Sequence, residues 1–104
     1  VYSAIKFVMN NYDNQNLSIK TIARHVFVTP NYLSLVFKKS TGKTINQFIT
    51  ETRIEKAKGL LKDRRIKLYE IASLVGFSDA NYFAKIFKKV EGMNPSDYRE
   101  KHLL

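Results

Sequence analysis

The sequence has no cysteine, which removes disulfide cross-links, cysteine-ligated zinc and thiol nucleophiles together. Its two histidines, His25 and His102, lie far apart with no metal-ligand spacing around either, so neither a metal nor a cofactor is expected. The four glycines, Gly42, Gly59, Gly76 and Gly92, are dispersed and form no phosphate-cradling loop. No apolar run approaches the roughly 18–20 residues needed to span a bilayer, so no partner inside a membrane is expected. The opening Val1-Tyr2-Ser3-Ala4-Ile5-Lys6 reads as the start of a helix and not as a signal peptide. No acidic pair accompanies a histidine, serine or lysine in a catalytic pattern, and the expectation is a non-enzyme. Acidic residues are scarce, 9 against 18 basic ones, for a net charge of +9. A pI near 9.9 points to a polyanionic partner, which composition alone leaves as DNA, RNA or an acidic membrane surface.

What is present suffices for a core. Apolar residues make up 44% and aromatics 12% of 104 residues, which suits one domain or two very small subdomains. An internal repeat organises the chain. Residues 22–42 return at 71–92, with an offset of 49 up to Val26/Val75 and 50 from Asn31/Asn81 onward. Nine positions are identical, including Asn-Tyr, Phe-Lys-Lys and the terminal glycine. The second copy carries one extra residue in its central turn.

Each copy reads as helix, tight turn, helix. Ser18 caps a helix to about Val26, with Ile19, Ile22, Ala23 and Val26 on one face. Thr29-Pro30 then supplies an N-cap and a proline at the first helical position, and Gly42 ends the second helix. In the second copy Ser78 or Asp79 caps and Gly92 terminates. A helix at the start of the chain presents Val1, Ile5, Val8, Met9 and Tyr12 as its apolar stripe. Residues 45–62 form a connecting helix of about 26 Å, with Phe48, Ile49, Thr52, Ala57, Leu60 and Leu61 at helical spacing. Asn94-Pro95 opens a last helix through Tyr98 and Arg99. The expected fold is all-α, about seven helices, with subdomains at about 1–44 and 63–104.

In the second helix of each copy, Leu33, Val36 and Phe37 match Phe83, Ile86 and Phe87 as the buried stripe. The opposite face carries Asn31, Ser34, Leu35 and Lys38, and in the other copy Asn81, Ala84, Lys85 and Lys88. Such side chains suit the DNA major groove, where amides pair with adenine, lysine donates to guanine and apolar groups meet a thymine methyl. Lys38, Lys39, Lys43, Lys88 and Lys89 gather at the helix ends, placed for phosphates. A solvated face that complements the helix dipole is the plainer reading, and recurrence in both copies argues against it. Tyr32 and Tyr82 are either core-edge tyrosines or phosphate contacts. Thr29 and Ser78 close helix N-termini that also suit a phosphate. Lys62, Arg64, Arg65 and Lys67 form a solvated basic connector, and His25 reads as a surface or cap residue.

The run Arg53-Ile54-Glu55-Lys56-Ala57-Lys58-Gly59-Leu60-Leu61, the stretch from Glu70 to Lys89, and Gly92-Met93-Asn94-Pro95-Ser96-Asp97-Tyr98-Arg99 together resemble the signature of AraC/XylS-type transcription regulators. The likeness covers about Asn16 to Arg99. It implies tandem, homeodomain-like helix-turn-helix subdomains bridged by a linker helix, with recognition helices at about 30–40 and 80–90 in successive major grooves. It also implies base contacts at the positions of Asn31, Ser34, Leu35, Ala80, Asn81, Ala84 and Lys85. Leu35 stands where arginine is frequent in the family, which points to weaker or apolar reading by the first module. Phe27 replaces a common turn glycine, kept at Gly76, which predicts a strained or differently shaped first turn. Lys67 replaces a common serine cap.

The expected partner is double-stranded DNA at an asymmetric site, with half-sites about 34 Å apart and some DNA bending. RNA polymerase is a possible second partner. The resemblance further implies a cytoplasmic, nucleoid-associated bacterial protein. An effector-binding or phospho-receiver domain, by preference a receiver, is expected to precede this segment. The alternative is a helical protein-interaction module whose basic face meets RNA polymerase or an acidic partner. RNA binding ranks third, for want of stacking aromatics on the exposed faces.

Overall fold

A computed structural model describes residues 1–103, and those residues form seven helices and no strand. They are α1 (Tyr2–Asn11), α2 (Ile19–His25), α3 (Pro30–Thr41), α4 (Ile45–Leu61), α5 (Leu68–Leu74), α6 (Ala80–Glu91) and α7 (Pro95–Lys101). Two compact units divide the chain, Val1–Thr52 and the part from Arg53 onward, with the boundary inside α4.

Capping chemistry sets most of the helix starts. Ser18 accepts from the Thr21 N–H, and Thr29 Oγ1 accepts from the Tyr32 N–H at 3.1 Å just before Pro30. Asn94 accepts from the Asp97 N–H at 2.9 Å before Pro95. Thr44 and Gln47 exchange side-chain and backbone hydrogen bonds at 3.0 and 2.9 Å, a full capping box that opens α4. Asp79, not Ser78, caps α6, and its carboxylate accepts from the N–H groups of Asn81 and Tyr82. The extra residue of the second turn explains this choice. Phe77 is buried there, with its ring 5.2 Å from that of Phe83, and Ser78 is left exposed before the cap. At α5 only half a capping box forms. Glu70 accepts from the Lys67 N–H at 3.3 Å, and a lysine ammonium has no lone pair to return the bond.

In the first unit Ala4, Val8, Leu17, Ile22, Ala23, Leu33, Phe37, Ile45 and Ile49 make one core. The apolar stripe of α1 differs from the expected one. Val1 and Met9 are exposed, and the buried line runs through Ala4 and Val8 with Ile5 and Phe7 at its edge. A methyl-sized Ala4 lets α1 lie close, which hydrophobicity alone does not rank above methionine. In the second unit Ile54, Ala57, Leu61, Ile71, Ala72, Val75, Phe83, Phe87 and Tyr98 are buried. Their aromatic rings form a chain, with Phe83 5.8 Å from Phe87 and Phe87 5.4 Å edge-on to Tyr98.

Arg99 fastens the α4–α5 connection to α7. Its Nε donates to the Leu61 carbonyl at 2.8 Å, and Nη2 donates to the carbonyls of Asp63 and Ile66 at 3.1 and 2.7 Å. One side chain thus donates to three carbonyls around this turn, one of which, that of Asp63, also accepts from the Ile66 N–H.

Candidate nucleic-acid interface

The second helix of each motif is oriented by the packing of its apolar stripe. Leu33 and Phe37 are buried with Val36 half-buried, and Phe83 and Phe87 are buried with Ile86 half-buried. At 100° per residue this turns the other side of each helix to solvent. On α3, Asn31, Ser34, Leu35 and Lys38 are all exposed; on α6, Ala80, Asn81, Lys85 and Lys88 are exposed and Ala84 is half-buried. Leu35 keeps 68% of its surface, an apolar side chain presented between polar ones.

The phosphate candidates fall into two groups. Lys39, Lys88 and Lys89 extend from exposed positions at the ends of α3 and α6. Lys38 donates to the Gly42 carbonyl at 3.0 Å, which seals the end of its own helix. Lys43 pairs with Glu51 at 2.6 Å. Tyr32 and Tyr82 are 58% and 55% exposed, and the Tyr82 ring lies 6.1 Å from that of buried Phe77, at the core edge. Thr29 gives its hydroxyl oxygen to the cap, and Ser78 is exposed.

Acidic groups are few on these surfaces, and Asp79 at the start of α6 has its carboxylate engaged in the helix cap. No Asp or Glu lies between Asp13 and Glu51, a stretch that contains five basic residues and the whole first motif. In the second unit Glu91, at the end of α6, is held by Lys58 at 3.1 Å, which also pairs with Glu55. The hydrogen bond that Lys58 donates to Glu91 is the main cause that raises the Lys58 pKa above its ordinary value. That pair offsets the carboxylate nearest Lys88 and Lys89. Away from α3 and α6, the Arg65 side chain and backbone N–H hold the Asp63 carboxyl down to about 2.

The two motifs differ at one backbone position. Val26 and Val75 end the first helices, and the following residues, Phe27 and Gly76, take φ of 61° and 104°. Their neighbours make the same reverse bonds, Val28 N–H to the Ala23 carbonyl at 3.0 Å and Phe77 N–H to Ala72 at 2.9 Å. This is a Schellman turn, whose left-handed residue is ordinarily glycine. The shape of the turn is retained, so of the two expectations for Phe27 it is strain that holds.

Among the described residues no group of His, Asp or Glu is arranged to hold a metal, and no helix is long and apolar enough to cross a membrane.

A helix-turn-helix domain model matches residues 22–101. The transcriptional regulatory protein YesN of Bacillus subtilis is 39% identical over 100 residues, 93% of this chain and 27% of its own length. The arabinose operon regulatory protein of Escherichia coli is 32% identical over 99 residues, 95% of this chain and 34% of its own length. The chain belongs to the AraC-type helix-turn-helix family. That family consists of DNA-binding transcription regulators, not enzymes. Among solved structures, the C-terminal domain of AraT, a response regulator from Geobacillus stearothermophilus, superposes with a TM-score of 0.94. It is 31% identical, over 97% of this chain and 84% of that one. The AraC-type segment therefore spans about a third of the curated relatives' length.

Sequence reasoning did not find Ile54, the Thr44–Gln47 box or the Arg99 clamp. The first two have a signal, an apolar residue in register with Ala57 and Leu61 and a Thr-x-x-Gln pattern. Arg99 has none, because its partners are backbone carbonyls.

Proposed function

We propose that this chain is the sequence-specific double-stranded DNA-binding part of a bacterial transcription regulator, with α3 and α6 as its recognition helices. The observation that carries this reading is the repetition of one exposed face at one register. An asparagine near the helix start, small or apolar groups a turn later and lysines at the end recur on α3 and α6. Asn31 and Asn81 suit adenine, Lys85 suits guanine and Leu35 suits a thymine methyl, with Ser34, Ala80 and Ala84 lining the close approach. Lys39, Lys88 and Lys89 grip phosphates directly. Lys38 and Lys43 join them by exchanging their present partners, and Thr29, Tyr32, Ser78 and Tyr82 complete the backbone contacts.

Tandem modules in one chain are not forced into the two-fold symmetry of a dimer, so the site they read is asymmetric. The likeness to a response-regulator domain supports coupling to a receiver domain in the full-length protein, which acts on the bacterial nucleoid. Selection of bound duplexes from a random pool at two salt concentrations tests the reading. Enrichment of an asymmetric motif with two half-sites about one helical turn apart is expected. Binding without enrichment, lost steeply in salt, would reduce the chain to a phosphate-gripping module.

A further inference from the structure

Phe27 is the least sheltered large apolar residue among the described ones, 94% exposed, and it holds a positive φ of 61° that an aromatic side chain rarely adopts. Glycine at the matching place in the second motif shows that this turn does not need a side chain. An exposed ring retained on a strained backbone contributes nothing to packing, and strain of this kind persists where a surface is used. The ring borders an open groove of about 540 Å³ lined by Phe7, Thr21, Arg24 and His25. Phe7 and His25 floor it, their rings 4.3 Å apart. Lys6 lines the adjoining hollow, which shares Phe7 and His25. None of these residues comes from α3, so α3 can be engaged while the groove stays open.

We propose that this groove is a docking surface for an acidic protein segment that carries an apolar anchor. The charge argument selects the occupant. Arg24 and Lys6 flank the aromatic floor, and no Asp or Glu occurs between Asp13 and Glu51. An anchor side chain rests on Phe7 and Phe27, and carboxylates meet Arg24 and Lys6.

The test follows amide shifts of the 104-residue chain by NMR on titration with an acetylated peptide of sequence DDLDFDLLEE. Shifts centred on Phe7, Thr21, Arg24, His25 and Phe27, weakened by salt, are expected. Phe27→Gly removes the ring and relaxes the backbone, so the variant melts a few degrees higher and binds the peptide about tenfold more weakly. Phe27→Asn, which tolerates the left-handed region, behaves likewise in binding and guards against a peculiarity of glycine. The proposal is overturned if Phe27→Gly binds as tightly as the parent chain, or if a peptide with alanine for each apolar residue binds equally well. Shifts confined to α3 and α6 would also overturn it, since the peptide would then only mimic a polyanion. So would an equal loss of duplex DNA affinity in Phe27→Gly, which would assign the ring to the DNA face.

Discussion

Lys85 and Lys88 lie on one face of α6, less than a turn apart, and the proposed reading assigns them to different atoms of the same duplex. Lys85→Ala is expected to weaken binding to the selected site by about 1–3 kcal/mol with little change on random DNA. Lys88→Ala should weaken both alike and reduce the salt slope by about one. Titrations of both variants on both duplexes separate the roles, and equal losses for Lys85→Ala would remove it from the base readers. Leu35 has a different chemistry to offer, since its only asset is apolar surface. Replacement of thymine by deoxyuridine in the first half-site should weaken the parent chain and leave Leu35→Ala unaffected. Phe27 shows the opposite economy at the same scale. A left-handed non-glycine residue costs on the order of 1–2 kcal/mol, and relief of that strain drives the expected rise in melting temperature of Phe27→Gly.

Among the elements, the α4–α5 connection depends on side chains more than any helix does. Arg99→Ala would remove the side-chain donor from the carbonyls of Leu61 and Ile66 and leave that of Asp63 with the Ile66 N–H alone, and a loss of about 2–3 kcal/mol in denaturant unfolding is expected. Arg99→Lys should recover only part of it, because a point charge cannot span three carbonyls. Asp63 in the same connection has a lowered carboxyl pKa, first by the Arg65 side chain and then by its backbone N–H. A carboxyl depressed in the folded state stabilises it above the ordinary value near 3.8, and that contribution fades as pH falls through about 2. A carbon-detected titration of Asp63 should give a midpoint near 2, and Arg65→Ala should move it back towards 3.8. An unmoved midpoint would rule out the pair as the cause.

Helix starts were legible wherever one polar residue stood at the right place, as at Ser18, Thr29 and Asn94. They were ambiguous at Ser78 and Asp79, where two capable residues adjoin and only the burial of Phe77 decides between them. The stripe of α1 departs from the hydrophobic pattern at Val1 and Met9, because side-chain hydrophobicity says nothing of how close two helices must lie. The exposed faces of α3 and α6 could be read in advance, since the buried stripes of those helices leave only one side free. Which atoms those faces touch is a property of the partner, so no reading of the chain alone supplies it.

For the whole molecule, charge is the dominant long-range property. If Lys38, Lys39, Lys43, Lys88 and Lys89 each neutralise one phosphate, the logarithm of affinity should fall with that of salt at a slope of about −4.5. Affinity for random duplex would then fall by a few hundredfold between about 50 and 200 mM salt. A slope near −1, measured by fluorescence anisotropy, would mean that most of these lysines never reach the DNA.

The placement of the unit boundary inside α4 bears on how this protein can be cut. Ile45 and Ile49 belong to the first core, and Ile54, Ala57 and Leu61 are buried in the second unit. A protease needs several residues of pliable backbone, and a hydrogen-bonded helix offers none at Thr52–Arg53. The first nick should therefore fall after Lys62, Arg64 or Arg65, in the stretch that Arg99 holds down. Dissection of the two motifs into separate polypeptides would have to give each its own copy of the shared helix.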